Sequence, residues 1–382
     1  MFREKTVNRI TNIIFSQGQK WSGISKNETV LFKGIAILLI VTHNFMHLIK
    51  EGVPGENEFT FHPERFRSFL TLIVQEYPDI VRIVLHYLGH YGVQVFIFLS
   101  AYGLTKKYLA EKIVYKEYLL DRFIKIYPAF ILSILLFLAY GFLTDGPAGP
   151  LELLHAHWKA ILFKLTLVSN FIPGMALKPV GPWWFLPFIF QFYLVFPIIL
   201  VTTRKYGACT LAVLSSTGIL LSVISTYLGA NVYYTIIGHM PELCLGVYLA
   251  SKERLHIPYY ATVAIILLFI LGNLYLPFWF ISHFCALILL LQIFGASKHA
   301  LKGNTGTNKL LAFYGALSLH LFFVHGFLRW PLLAWARNFD NWAYSLLLCI
   351  TFLAISTVAS YFLYLVEQKI RHWYVSKPGA GR

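Results

Sequence analysis

The chain has 382 residues, 57% of them hydrophobic and 17% aromatic, with only 13% charged and a mean hydropathy of +0.63. That balance argues against a soluble domain or a disordered chain and points to a bilayer protein. The net charge of +15 comes from 32 Lys and Arg against 17 Asp and Glu, but the cations are spread over separate short loops, so no nucleic-acid partner is implied.

Residues 1–30 are polar, with Arg3, Lys5, Arg9, Lys20 and Lys26, and hold no apolar core of signal-peptide length, so they read as a cytoplasmic tail. Ten apolar runs of spanning length follow, at approximately 31–49, 82–104, 126–144, 183–203, 208–228, 233–251, 257–275, 277–296, 311–333 and 343–366. Assigning loops alternately puts 23 of the 32 Lys and Arg on the side of the N-terminus, which the positive-inside rule makes cytoplasmic. The expected fold is therefore an all-α polytopic membrane helix bundle of about ten spans with both termini cytoplasmic. It forms one membrane domain, 31–366, with a second tail at 367–382.

Within the first run Lys33 precedes His43 by ten residues, a rise of about 15 Å, half of a ~30 Å hydrocarbon core. An ionisable side chain at that depth is costly and marks a functional site. The competing reading is a histidine that only bonds a neighbouring helix. The stretch 50–81 that follows is fairly acidic, with Glu51, Glu56, Glu58, Glu64, Glu76 and Asp79. His43/His47 and His86/His90 are each four apart and share a helix face, and His239/Glu242 are three apart. With His283 and His325 they fall toward the outer half of their spans, which argues for a polar cavity opening outward. Toward the inner side stand Lys33, Lys106, Lys107, Arg122 and Lys125. Arg122 and Lys125 share a face three residues apart, a pattern suited to an anionic phosphate, although ordinary membrane anchoring also explains such cations.

Residues 160–170, apolar but broken by Lys164, Ser169 and Asn170, read as interfacial or re-entrant. All four cysteines (Cys209, Cys244, Cys285, Cys349) fall inside expected spans, so neither a disulfide framework nor a structural zinc site is expected. Paired histidines raise the possibility of a di-metal oxygenase, but no adjacent His-His occurs and the pairs lie on the outer side. No metal is expected.

Five segments in register resemble the acyltransferase-3 family of integral-membrane O-acyltransferases. They are Lys33-Gly34-Ile35-Ala36 with His43; Gly92 through Ser100; Arg122-Phe123-Ile124-Lys125-Ile126-Tyr127-Pro128; Trp184-Phe185-Leu186 with Gln191-Phe192-Tyr193-Leu194; and Phe313-Tyr314-Gly315 with Ser318-Leu319-His320-Leu321 and Val324-His325. The resemblance covers about residues 30–370. Lys33 and Lys125 stand where the family has Arg, one residue fewer separates Lys33 from His43, and Ile189 and Phe190 replace acidic residues.

The resemblance implies a cytoplasmic acyl-CoA donor, usually acetyl-CoA, as a co-substrate with no permanently bound cofactor. It implies an acceptor hydroxyl on an extracytoplasmic carbohydrate or lipid-linked sugar. Lys33, Arg122 and Lys125 would hold the donor, and His43 would act as general base or acyl carrier; Glu242 would take over the catalytic role of the carboxylates that Ile189 and Phe190 replace. Trp184, Gln191, His239 and His325 would bind the acceptor. A multi-pass bacterial inner-membrane protein is the expected setting. The alternative is a transporter of lipid-linked sugars, in which His43 and Glu242 form a proton relay.

Overall fold

The computed structural model describes residues 18–21, 23–50, 53–252, 255–301, 303, 305–339 and 341–375; the parts of the expected tails at 1–17 and 376–382 lie outside them. The first helix, α1 (Lys26–Met46), starts where Ser25 and Glu28 close a capping box, each side chain accepting from the other's backbone N–H. It then crosses α12 (Thr305–Leu328) at unusually short range. A Cβ on Gly34 would stand 2.1 Å from the Leu311 carbonyl oxygen, and one on Gly315 2.0 Å from that of Val30. Small residues let two backbones meet where lipid offers no hydrophobic drive to association. This contact fixes α1, and His43 on it, against α12.

The second expected span is broken. It consists of α3 (Ile80–Leu88), a single 3-10 turn at Gly89–Tyr91, and α4 (Gly92–Tyr108). A Cβ on Gly89 would lie 2.6 Å from the Cβ of His43, so the break nests directly on that histidine. Before it, α2 (Pro63–Gln75) packs on α3 through Phe66, Phe69 and Tyr87.

Next come α5 (Tyr115–Asp145) and α6 (Gly149–Leu165). Helix α6 doubles back along α5: Gly141 and Gly149 touch at one end, and at the other the Tyr127 hydroxyl donates to the Leu165 carbonyl at 2.5 Å. The segment expected to be re-entrant forms the end of that return and the Ser169–Phe171 turn beyond it.

The core is aromatic. Phe188, Phe192 and Phe196 of α7 (Phe185–Tyr206) are buried with Phe130, Trp183 and Phe323. The rest of the bundle is α8 (Ala208–Tyr227), α9 (Met240–Ala250), α10 (Tyr259–Leu274), α11 (Leu276–Leu301), α13 (Trp330–Asn338) and α14 (Trp342–Val375). Outward apolar side chains such as Leu143, Leu228 and Val358 form the surface that a bilayer covers.

Among the described residues, eight helical stretches are long and apolar enough to cross a membrane. The sixth and seventh expected spans correspond to shorter apolar helices, Ile236–Ala250 and Tyr259–Leu274. The ninth expected span, 311–333, divides at Arg329. Pro331, which has no N–H to donate, stands in the first turn of α13 and begins a new helix there. A two-stranded antiparallel ribbon, β1 (Gly18–Trp21) with β2 (Leu255–Pro258), joins the start of the described chain to the loop before α10.

Candidate active site

Two cavities share Phe322 as a lining residue. The larger, about 400 Å³, is walled by Lys33 of α1, Phe96 and Ser100 of α4, Lys125 and Ile126 of α5, and His320 of α12. Lys33 and Lys125 therefore share one chamber, as their separate positions at the same end of two spans suggested. Arg122 is tied to the neighbouring Asp121 and does not line the chamber. A buried pair from α12 and α14, with no spacing signal in the chain, completes the wall: His320 Nε2 meets Glu367 Oε2 at 2.7 Å.

The second cavity, about 200 Å³, is lined by His43 and Asn44 of α1 and His47 just past its end, by Glu56 and Glu58, by His90, Gly181 and Trp184, and by Arg329. His43 is almost fully buried, at 3% exposure. Its Nδ1 lies 3.0 Å from the Leu85 carbonyl. A carbonyl can only accept, so Nδ1 carries the hydrogen, and Nε2 is left with its lone pair. That atom faces Glu56 Oε1 at 3.7 Å. The break between α3 and α4 thus sets the tautomer: the last turn of α3 supplies the carbonyl, and Gly89 makes room for it. His47 stacks on His43 at 4.6 Å between ring centroids and donates from Nδ1 to the His43 carbonyl, while His90 stands 5.6 Å away with both ring nitrogens unpartnered.

Glu56 and Glu58 come from the acidic stretch after the first span, and burial raises both carboxyls above the ordinary carboxylate range, Glu58 well above it. One ligand atom each from His43, Glu56 and Glu58 lie within 4.8 Å of one another, so these are the residues, among those described, that could hold a cation. A cation there would occupy the lone pair of Nε2.

Of the remaining expected site residues, Trp184 lines the His43 cavity and stacks on His239 at 5.9 Å. His239 lies behind that indole, donating from Nε2 to the Tyr233 carbonyl at 3.0 Å. Glu242 is buried at the start of α9 with Oε2 unpartnered, and it lines neither cavity. Gln191 accepts from the Ile236 backbone N–H at 3.3 Å, and His325 holds the Leu321 carbonyl at 2.8 Å; neither reaches the cavities. Glu56, Glu58, Phe322 and Arg329 went unassigned. Arg329 did carry a signal: it is a cation inside the expected span 311–333, two residues before Pro331.

A helix bundle with membrane-length apolar spans and two internal cavities that share Phe322 as a wall defines a multi-pass membrane protein. The chain belongs to the acyltransferase-3 family: a profile described as an acyltransferase domain matches residues 31–361, most of its length. It is thus an acyltransferase of a type other than aminoacyl transferases. No curated protein and no solved structure matches the chain.

Proposed function

We propose that this protein moves an acyl group, acetyl in the first instance, from cytoplasmic acyl-CoA in the Lys33/Lys125 chamber to a sugar hydroxyl in the His43 cavity. The observation that carries this reading is the pair of chambers sharing Phe322, one lined by two lysines and the other by a histidine whose free lone pair points inward. Lys33 and Lys125 offer point charges to the phosphates of the donor. The thioester lies toward Phe322. The acceptor hydroxyl approaches Nε2 of His43, which takes its proton as the oxygen attacks the thioester carbon. The carbon–sulfur bond then breaks, and the imidazolium returns the proton to the departing thiolate. Glu56, 3.7 Å from Nε2, stabilises the imidazolium while it exists. Trp184 offers an apolar face to a sugar ring. The acceptor is a carbohydrate or lipid-linked sugar outside the cytoplasm of a bacterial inner membrane.

Purified protein given radiolabelled acetyl-CoA and a panel of sugar acceptors in detergent should form acetylated product. Detergent abolishes any meaning of transport, so absence of acetyl transfer to every sugar, with donor still bound, overturns the assignment of acceptor. Reporter fusions after residues 55 and 340 should read outside, and fusions after 112 and 303 inside; the opposite result would reverse the two chambers.

A further inference from the structure

We infer that the acceptor carries an oxyanion, a carboxylate or a phosphate, and that Arg329 is the residue that recognises it. The inference rests on the acyl-transfer reading for the word acceptor, but the binding site itself rests on geometry alone. Arg329 lines the His43 cavity at the break between α12 and α13 and is only 8% exposed. One nitrogen, Nη1, is committed to Asn44, donating to its backbone carbonyl at 2.8 Å and its side-chain oxygen at 3.0 Å. Those bonds fix the plane of the guanidinium, as does the Trp330 ring 5.2 Å from Cζ. The other edge makes no hydrogen bond among the described residues. Nε is buried without a partner, and Nη2 points toward Gly181, where an added Cβ would meet it at 4.0 Å and nothing nearer. Nε and Nη2 form the fork that grips carboxylates and phosphates through two parallel hydrogen bonds.

Among the described residues no carboxylate comes within 4.0 Å of Arg329, so the charge has no fixed counter-ion. A buried unpaired charge is costly, and a cavity that retains one is complete when an anion enters it. The cavity is also polarised. Glu56 and Glu58 cluster at the His43 end, and the guanidinium stands apart from them beside Asn44. An acceptor anchored through its anion at Arg329 therefore presents its hydroxyl end to Nε2, and Gly181 keeps the fork clear. Arg329 is in this sense a specificity residue: a neutral sugar has nothing to offer the fork and leaves the charge unpaired.

The test is binding, read as thermal stabilisation of the full-length protein in neutral-lipid nanodiscs without any acyl-CoA. The probes are glucuronic acid, glycerol 3-phosphate and glucose. Stabilisation by glucuronic acid alone assigns a carboxylate-bearing sugar, by glycerol 3-phosphate alone a phosphate-linked one, and by both a general oxyanion fork; glucose should do nothing. R329Q should weaken the anion effect at least about tenfold. R329K, which keeps charge but loses the fork, should fall between. G181V should block binding without touching the charge, which keeps the test alive if R329Q does not fold. R337Q removes an exposed cation bonded to Leu48 and serves as the control that should bind normally. Equal stabilisation by glucose, or an anion effect that survives both R329Q and G181V, overturns the inference. Failure of acetyl transfer in every assay would overturn the acetyl-to-sugar reading instead and leave this result untouched.

Discussion

Two clusters in this bundle hold the same kinds of residue and differ in what surrounds them. At the α3–α4 break, His43 has one nitrogen satisfied by the Leu85 carbonyl and the other facing a cavity and the Glu56 carboxyl. Around α9 lie His239, Glu242, His283 and Tyr233, with His239 and His283 rings 6.1 Å apart and both nitrogens of His283 unpartnered. His239, His283 and Glu242 line neither chamber. The difference teaches that a histidine beside a carboxylate is chemically useful when a lone pair meets space for a substrate. Helical spacing of His and Glu does not by itself supply that space.

The largest effect that can break the comparison is at His43. Both His43→Ala and His43→Asn should lower acetyl transfer by about 10² or more, because Asn keeps a hydrogen bond but cannot take the proton. Near-full turnover in His43→Asn would move the base to the α9 cluster. The partner variants follow. Glu56→Gln should cut turnover by roughly tenfold through loss of imidazolium stabilisation, with donor KM unchanged, whereas Glu242→Gln should leave both within a factor of about three. The reverse ordering would exchange the roles of the clusters. At the other chamber, Lys125→Ala should raise the KM for acetyl-CoA by roughly ten- to hundredfold, the worth of a charge-assisted contact. Arg122→Ala should raise it less, because Arg122 is spent on Asp121; an equal rise would bring Arg122 into the donor site.

Much of this was legible in the chain, for physical reasons that also mark where legibility ends. Apolar runs of bilayer length announce spans, and a lysine and a histidine ten residues apart in one such run announce depth, so Lys33 and His43 stood out. Helix rotation is another matter. Gln191 and His325 bond to a backbone amide and a backbone carbonyl, an orientation that spacing within one helix does not reveal. The carboxylate beside His43 comes from a loop that folds back over α1, and no periodicity ties a loop residue to a helix. Glu56 was visible only as one acid among several. Arg329 was hidden differently: apolar residues continue past it, so the run read as one span, although Pro331 two residues on was the signal for a break.

The smallest effect concerns how dry the His43 cavity is, which is the physical basis of its difference from an ordinary buried cluster. Burial, reinforced by Glu56, holds the Glu58 carboxyl well above its usual range, so the native state keeps a proton that the unfolded chain gives up at about pH 4.3. Between those two values the native state binds more protons than the unfolded state, and stability must fall as pH rises. The contribution is fully present below about pH 4.3 and is lost as pH climbs through the native value, at a slope of at most about 1.4 kcal/mol per pH unit. Glu58→Gln, which stays neutral, should flatten that part of the profile of melting temperature against pH and stabilise the protein at its alkaline end. Identical slopes in the two proteins would mean that Glu58 is hydrated in the native state. The cavity would then be open to bulk water, and the thioester would need protection from hydrolysis by the bound acceptor itself, since the cavity walls would not supply it.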